Sequence, residues 1–337
     1  MMRGPTRRQA FAGAAAAALA GRAARGAPAP LRLSHGYSIG YLPMIVMRDR
    51  KLIEAHAAKA GLADLALEWR IADGGNNIND AMLSGALDIA GIGIPGFLVL
   101  RDRTRGRKQE VTALSSLTTG SLWLNTVDPR IKTLEDYGEG DRIAVPGIKT
   151  SYAAIVLEMA VAKVFGVQNY AKLDPLTVGL PHPEAYAAMM SGKTEIKSHL
   201  ASAPFSYQEL KNPAVHRVLS TREFLGPMSI LLTMTPLQFA AANPALMQAV
   251  LAAQEEANGI IAHDPDAAVT SYLRATELQV PRQELLNMLA DPENGYSVAP
   301  EGSLRYAAFL ADTGVIKAKP ETWTELFLPL VRDRAGS

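Results

Sequence analysis

The sequence contains no cysteine among its 337 residues. This absence excludes disulfide bonds, thiol catalysis and cysteine-ligated metal ions, and it leaves no thiol for a lipid anchor. Aromatic residues make up only 6% of the chain, whereas 48% of residues are hydrophobic and 20% are charged. A chain of this length and composition can bury a sizeable core, and the length suggests roughly two domains.

Long hydrophobic runs are also missing, since no segment reaches the about 18 uncharged apolar residues of a membrane-spanning helix. The longest apolar run, residues 10–20, follows Arg3, Arg7 and Arg8. A basic start followed by a short apolar run is typical of a secretory signal peptide, and the Arg7-Arg8 pair resembles a twin-arginine export signal. We therefore expect residues 1–26 to be a leader and the mature protein to be periplasmic, soluble and not lipidated.

A strong positive charge is absent as well. The whole chain has a net charge of +1, and the predicted leader holds five arginines and no acidic residue, so the mature chain would carry −4. Binding to nucleic acid requires a concentrated basic face, which this balance does not offer. We expect a monomer with no nucleic-acid partner.

Motifs of catalysis are not found. The six histidines, at positions 35, 56, 182, 199, 216 and 263, show neither i, i+4 pairing nor metal-ligand spacing. The sequence has no phosphate-binding Walker loop, no dinucleotide fingerprint and no nucleophile elbow. We therefore predict a protein that is not an enzyme, with no catalytic residue, no metal and no cofactor.

The most informative pattern is an internal repeat. Residues 81–89 read AMLSGALDI and residues 188–196 read AMMSGKTEI, at a constant offset of 107 positions. Each copy predicts the end of a helix, a glycine that stops it, an acidic residue and a strand. We expect Asp88 and Glu195 to satisfy nearby backbone groups rather than to act as paired acids.

Strand and helix patterns alternate on both sides of this repeat, which predicts an α/β protein with mostly parallel sheets flanked by helices. We predict a first lobe formed by residues 27–117 and 222–337 and a second lobe formed by residues 118–221. The chain would cross between the lobes twice, and two crossings make a hinge with a cleft beside it.

The sequence resembles the substrate-binding proteins of the nitrate, sulfonate and taurine class of ABC importers. The resemblance spans nearly the whole mature chain and rests on segments 40–43 (GYLP), 81–89, 131–137 leading into 142–146 (RIAVP), and 198–205 (SHLASAPF). It implies the two-lobed type II periplasmic-binding fold, a small anionic ligand such as a sulfonate or carboxylate in the interlobe cleft, and an ABC permease in the inner membrane as partner.

Candidate ligand-binding residues follow from a rule of open α/β sheets, in which ligands lie outside the carboxyl ends of the strands. The loops that follow the first strand of each lobe offer backbone N–H groups and hydroxyls at the start of a helix. The candidates there are Ser38, Ile39, Gly40 and Tyr41 in the first lobe, and Lys149, Thr150, Ser151 and Tyr152 in the second. The alternative is that Thr150 and Ser151 only cap their helix and that Lys149 is solvated.

The same rule selects loops after later strands and beside the hinge. These candidates are Gly74, Gly75, Asn76, Gly93, Ile94, Pro95, Ser116, Thr118 and Thr119. Glycines there would let the backbone approach a ligand, although a plain turn or a polar linker explains them equally well. His182, His199 and Phe205 would suit a ligand with an apolar body and a polar head, unless the histidines are structural.

Two other functions remain open from the sequence. One is an enzyme on the same fold, such as one that makes the pyrimidine precursor of thiamine or dehydrates a chorismate-like acid. The predicted leader and the absence of cysteine argue against this alternative. The other is a periplasmic sensor component that serves a kinase.

Overall fold

A computed structural model of the protein describes residues 29–62, 65–72 and 75–337. The predicted leader and Gly74 lie outside the described residues. Within the described part, no helix has the length and apolar character needed to cross a membrane.

Strands alternate with helices along most of the chain, as the sequence pattern predicts. The strands are β1 (Leu31–His35), β2 (Leu67–Ile71), β3 (Ile89–Gly93), β4 (Val111–Thr119), β5 (Trp123–Thr126), β6 (Ile143–Val145), β7 (Thr177–Gly179), β8 (Ser198–Ala201), β9 (His216–Ser220), β10 (Ser229–Pro236) and β11 (Gly295–Tyr296).

The helices fall between these strands and after β10. They are α1 (Leu42–Asp49), α2 (Leu52–Lys59), α3 (Gly75–Leu83), α4 (Ile94–Thr104), α5 (Tyr152–Phe165), α6 (His182–Ser191), α7 (Phe205–Glu209), α8 (Thr221–Leu225), α9 (Leu237–Ala242), α10 (Pro244–His263), α11 (Pro265–Thr276), α12 (Arg282–Ala290) and α13 (Ser303–Asp312). Short 3-10 turns lie at Ile39–Tyr41, Leu134–Asp136, Val167–Asn169, Asp174–Leu176, Trp323–Glu325 and Pro329–Val331.

The described strands form two mixed sheets. The first has the order β11-β4-β10-β3-β1-β2, with β1 parallel to β2 and β3, and β10 antiparallel to β3 and β4. The second has the order β7-β6-β8-β5-β9, with β6 parallel to β7 and β8, and β5 antiparallel to β8 and β9. In the first sheet β10 and β11 therefore run against the other four strands, and in the second sheet β5 runs against the other four.

The helix and the glycine of the repeat take the same form in both lobes, whereas the strand begins at Ile89 in the first copy and at Ser198 in the second. Helices α3 and α6 each end just before a glycine with a positive φ, Gly85 at +70° and Gly192 at +65°. Glycine adopts this conformation without the steric cost that a Cβ would add. Asp88 then accepts hydrogen bonds from the backbone N and the guanidinium of Arg32, so this acid satisfies a nearby backbone group as predicted. Glu195 is exposed and lies 3.9 Å from the guanidinium of Arg142, so the same prediction is wrong for this residue.

The two crossings between the sheets lie side by side. The chain passes from β4 to β5 through residues 120–122 and returns from β9 to β10 through residues 221–228. Leu122 N donates to Thr221 Oγ1 at 2.9 Å, and the Ser121 and Ser220 hydroxyls lie 3.0 Å apart. These bonds join the two crossings into one hinge. Because β4 extends to Thr119, it passes the predicted boundary at residue 117, and the lobe boundaries stay a prediction.

Two of the C-terminal helices begin at proline. Pro244 and Pro265 each occupy the first helical position, where the missing N–H removes no hydrogen bond. Helices α10 and α11 pack on α1 and α2 of the first lobe. The first lobe is therefore the larger one. Its buried hydrophobic core extends without a break to the residues of the hinge.

Candidate functional site

A small cavity lies where the two sheets face each other, at the carboxyl ends of β1, β3, β6 and β8. Its volume is about 60 Å³. Both lobes contribute to its wall. The lining residues are Ser38, Tyr41, Gly75, Ile78, Ile92, Gly93, Ile230 and Leu231 from the first lobe, and Leu122, Pro146, Thr150, Ser151, Tyr152, Ala153, His182 and Ser202 from the second.

The start of helix α5 supplies backbone donors to this cavity. Ser151 caps the helix, since its Oγ accepts a hydrogen bond from Ala154 N at 3.1 Å. The N–H groups of Tyr152 and Ala153 open the helix and have no partner within it. A helix N-terminus stabilises a negative charge by roughly 0.3–2 kcal/mol. This end of the cavity therefore favours an anion.

Hydroxyl groups lie on both sides. Ser38 Oγ accepts from Gly40 N at 2.9 Å, and Ser151 Oγ accepts from its cap partner, so each hydroxyl proton is left to donate. Ser202 is 6% exposed, and its Oγ makes no hydrogen bond to any described residue. A buried hydroxyl without a partner is costly, and a ligand in the cavity would satisfy it.

A buried histidine also lines the cavity. His182 is 5% exposed and begins α6, and its Nδ1 lies 2.8 Å from His199 Nε2. Burial lowers the pKa of His182 well below its usual range. Phe205 stacks on the His182 ring with centroids 5.7 Å apart. The ring is therefore held in place and is neutral at physiological pH.

Glycines bring the lobes into direct contact around the cavity. A Cβ placed on Gly93 would lie 2.8 Å from Tyr152 Cβ, and one placed on Gly75 or Gly96 would lie within 2.9 Å of Thr150 O. Carbon atoms do not approach so closely, so the start of α5 can reach the first lobe only because these positions lack a side chain. These glycines allow the two lobes to make direct contact around the cavity, and the approach of Gly75 and Gly93 to a ligand stays a prediction.

Further contacts hold the same closed arrangement. Ile39 N donates to Ala203 O at 3.1 Å, and the Tyr207 hydroxyl donates to Asp291 Oδ2 at 2.6 Å. An ion pair joins Lys211 to Glu284. Each of these bonds links the two lobes, and residues 31–337 form one compact unit.

The structure brings together eight of the twenty predicted ligand-binding residues. The predicted residues that line the cavity are Ser38, Tyr41, Gly75, Gly93, Thr150, Ser151, Tyr152 and His182. They come from loops that the strand-end rule selected, and they lie on both sides of the cavity. Gly74 is outside the described residues.

The hydroxyl-rich segment of β4 lies elsewhere. Ser116 Oγ donates to Ser229 Oγ at 3.2 Å, and Thr118 Oγ1 donates to Gly295 O at 2.7 Å. Thr119 Oγ1 lies 3.3 Å from the same serine hydroxyl. These side chains join β4 to its neighbouring strands and do not line the cavity.

The other predicted residues support the wall or face solvent. Ile94 and Pro95 are buried at the start of α4, and Gly40 packs against Leu231 and Thr118. Ile39, His199 and Phe205 are buried behind the lining residues, whereas Asn76 and Lys149 are exposed.

Sequence reasoning missed Ser202 and most of the apolar wall. Ser202 directly follows β8, so the strand-end rule that selected Gly93 would also have selected it. The apolar residues Leu122, Ile230 and Leu231 carry no sequence signal that separates them from core residues.

The fold is that of solved periplasmic binding proteins. The alkanesulfonate-binding protein SsuA from Xanthomonas axonopodis pv. citri, bound to MOPS, superposes with a TM-score of 0.67 at 17% identity, covering 87% of this chain and 96% of that chain. The aliphatic sulphonate binding protein SsuA from Escherichia coli gives 0.63 at 16% identity, covering 89% and 99%.

The periplasmic nitrate-binding protein NrtA from Synechocystis PCC 6803 gives a TM-score of 0.65 at 15% identity, covering 88% of this chain and 84% of that chain. No protein-family model matches the sequence, and no curated protein matches it either. At these identities the likeness is one of fold. The chain has the two-lobed type II periplasmic-binding fold, as its sequence predicts.

Proposed function

We propose that this protein is the solute-binding component of an ABC importer and captures a compact anion in the cavity between its lobes. The observation that carries the proposal is the convergence of the α5 N-terminus, three serine hydroxyls and a buried histidine on one interlobe cavity. Solved proteins of the same fold that bind alkanesulfonate or nitrate support an anionic ligand.

The volume of the cavity supports a compact ligand. An engineered protein cavity of about 150 Å³ holds benzene, and this cavity is about 60 Å³. Nitrate, formate, acetate or methanesulfonate would suit such a space better than an aromatic sulfonate. Ile78, Ile92 and Leu231 form an apolar part of its wall, which would contact a methyl group of such an anion.

The mechanism that we propose is a shift of population towards the closed form. Donors from the second lobe and Ser38 from the first would contact one ligand together, so the ligand binds the closed form more tightly than the open one. The closed form would then be recognised by the permease. On this proposal the protein performs no chemistry on its ligand.

A thermal-shift screen followed by calorimetry tests the proposal. A ligand at 100 times its Kd adds about 2.7 kcal/mol of stability, which raises the Tm of a protein of this size by several degrees. We expect compact anions to produce this shift, and benzenesulfonate and methylammonium to produce none. A response to benzenesulfonate alone, or to none of the anions, would contradict the proposal.

The importer assignment needs a separate test. Genes for a membrane permease and an ATPase beside the gene for this chain would support an importer. A neighbouring histidine-kinase gene without a permease gene would instead favour a sensor.

A further inference from the structure

Three buried titratable side chains form a chain of hydrogen bonds that ends at the cavity. Glu209 Oε1 lies 2.6 Å from His199 Nδ1, and His199 Nε2 lies 2.8 Å from His182 Nδ1. The side chains of Glu209 and His199 are 0% exposed. Of the three residues, His182 alone lines the cavity. We call Glu209, His199 and His182 the relay.

Asn125 fixes the far end of the relay. Its Nδ2 donates to Glu209 Oε2 at 2.8 Å and to Ser206 O at 2.9 Å. Glu209 Oε2 therefore accepts a hydrogen bond, and with Glu209 as an ionised carboxylate its Oε1 accepts one as well. His199 Nδ1 must then carry a proton and donate it to Glu209.

This arrangement leaves two protonation states. In the first, both imidazoles are neutral, His182 Nδ1 donates to His199 Nε2, and His182 Nε2 is a bare acceptor. In the second, His199 is an imidazolium that donates to His182 Nδ1, and His182 Nε2 carries a proton. One proton enters at His182 Nε2, and the proton on His182 Nδ1 moves to His199 Nε2. The charge of the relay changes from −1 to zero.

We propose that the relay couples anion binding in the cavity to protonation, so that the cavity holds an anion only while the relay carries its extra proton. In the unloaded state an anion would meet a lone pair and a buried negative charge. In the loaded state it meets an N–H donor and a neutral relay. Glu209 and His199 are positioning residues, because they set the protonation of His182 without touching the ligand. This inference rests on the proposed function, since it assigns the charge class of the ligand.

The other groups around His182 do not account for the change in charge that we assign to the relay. Among the described residues, the titratable side chains that share the cavity wall with His182 are the phenols of Tyr41 and Tyr152. Burial raises the pKa of Tyr152 to about 12, so this phenol stays neutral. The neighbouring ring of Phe205 is apolar. No lysine, arginine or carboxylate in the described chain lines the cavity.

The Glu209→Gln variant separates this role from a structural one. Asn125 is held by Ser206 O and would keep donating, which places the amide oxygen of the introduced glutamine towards Asn125 and its NH₂ towards His199 Nδ1. His199 must then carry its proton on Nε2 and donate to His182. In this variant His182 Nε2 therefore carries a proton at every pH, and anion binding should not depend on pH.

Nitrate and formate serve as probes, with Kd measured by calorimetry from pH 6 to 9 in bis-tris and Tris buffers. Above the midpoint of the relay, we expect the Kd of the wild-type protein to rise about tenfold per pH unit. Proton uptake, read from the buffer dependence of the heat, should approach one per anion. The Glu209→Gln variant should bind at every pH with a Kd that changes less than threefold. Glu158→Gln, an equally conservative change at another buried carboxyl of the second lobe, should keep the wild-type slope.

A wild-type Kd that is flat with pH, with no buffer-dependent heat, would overturn the relay while leaving the binding function intact. Failure of both probes to bind would count against the proposed function instead, and nitrogen-15 NMR of histidine-labelled, ligand-free protein would then decide on the relay. His182 Nε2 should change from unprotonated to protonated as the pH falls, and it should stay protonated in Glu209→Gln. A His182 ring that behaves identically in both proteins would overturn the inference.

Discussion

The two lobes share one folding unit yet bring different groups to the cavity. At the end of β3, the first lobe supplies Gly93, whose missing side chain leaves space for the other lobe. After β8, the second lobe supplies Ser202 beside the strand that holds His199. The shared topology places the loops of both lobes at the cavity, and the residues in those loops differ in what they contribute. The first lobe makes room and contributes the Ser38 hydroxyl, and the second lobe contributes the helix N-terminus, Ser151, Ser202 and His182.

Adding one methyl group at Gly93 in the first lobe should have the largest effect on ligand binding. Gly93 has φ −63° and ψ 138°, which alanine adopts readily, and the three atoms nearest to a new Cβ all belong to Tyr152. Overpacking of this kind costs about 1–3 kcal/mol. Because this collision is between the two lobes, it opposes the closed form that we propose for ligand binding. We expect Gly93→Ala to raise the Kd of the ligand about ten- to hundredfold, measured by calorimetry.

Gly140→Ala is the matched control for that change. A methyl group added at Gly140, in the loop before β6, would meet no heavy atom within 4 Å among the described residues. This variant should bind like the wild-type protein. Equal Kd values for both alanine variants would mean that the contact between Gly93 and Tyr152 is not part of the ligand-bound form.

The second lobe also holds an acidic pair away from the cavity, and its ionisation should affect stability rather than binding. Glu158 is 4% exposed, and burial together with the nearby charge of Asp174 raises its pKa to about 8. The folded protein thus keeps a proton that the unfolded chain loses above its ordinary pKa of 4.5. Stability should therefore fall as pH rises from about 4.5 to 8.

Replacement of this carboxyl by an amide removes the charge that is costly to bury. We expect Glu158→Gln to raise the free energy of unfolding by on the order of 2 kcal/mol at pH 9 and to change it little at pH 5. Urea denaturation at the two pH values measures the difference. An equal increase in the free energy of unfolding at pH 5 and at pH 9 would show that the carboxyl of Glu158 is not protonated in the folded protein.

Features that depend on neighbouring residues could be predicted from the sequence. The repeat that ends at Gly85 and Gly192 is local, so its helix, glycine and strand could be predicted from neighbouring residues alone. The strand-end rule placed Ser38, Ser151 and His182 at the cavity for the same reason. Fold and hinge were accessible because they follow from periodicity and from the order of segments.

Contacts between distant parts of the chain were not accessible in this way. The three residues of the relay, 182, 199 and 209, lie on one helix, one strand and another helix. No spacing in the sequence predicts that they meet. The hydroxyls of Thr118 and Thr119 resembled ligand donors, but strand pairing uses them. Whether a polar side chain faces a cavity or a neighbouring strand depends on register, which the sequence pattern leaves open.

Two serines with the same unsatisfied hydroxyl allow a finer test of the two lobes. Ser202 Oγ and Ser34 Oγ are both buried without a hydrogen-bond partner among the described residues, but only Ser202 lines the cavity. A hydrogen bond contributes about 0.5–1.5 kcal/mol. We expect Ser202→Ala to raise the Kd about three- to tenfold and Ser34→Ala to leave it unchanged. An equal loss of affinity in both variants would show that the effect passes through stability and not through a ligand contact.

The smallest effect is expected at Lys149, the one lysine that the sequence placed among the ligand-binding candidates. Its side chain is exposed and does not line the cavity, and the carboxyls whose pKa it influences are those of Glu158 and Asp174. Exposed charges interact by about 0–1 kcal/mol and are screened within about 8 Å at physiological ionic strength. We therefore expect Lys149→Gln to change the Kd by less than about threefold, measured at 0.15 M salt. A tenfold loss would mean that the lysine reaches the ligand, and the second lobe would then supply a fixed positive charge in place of a proton.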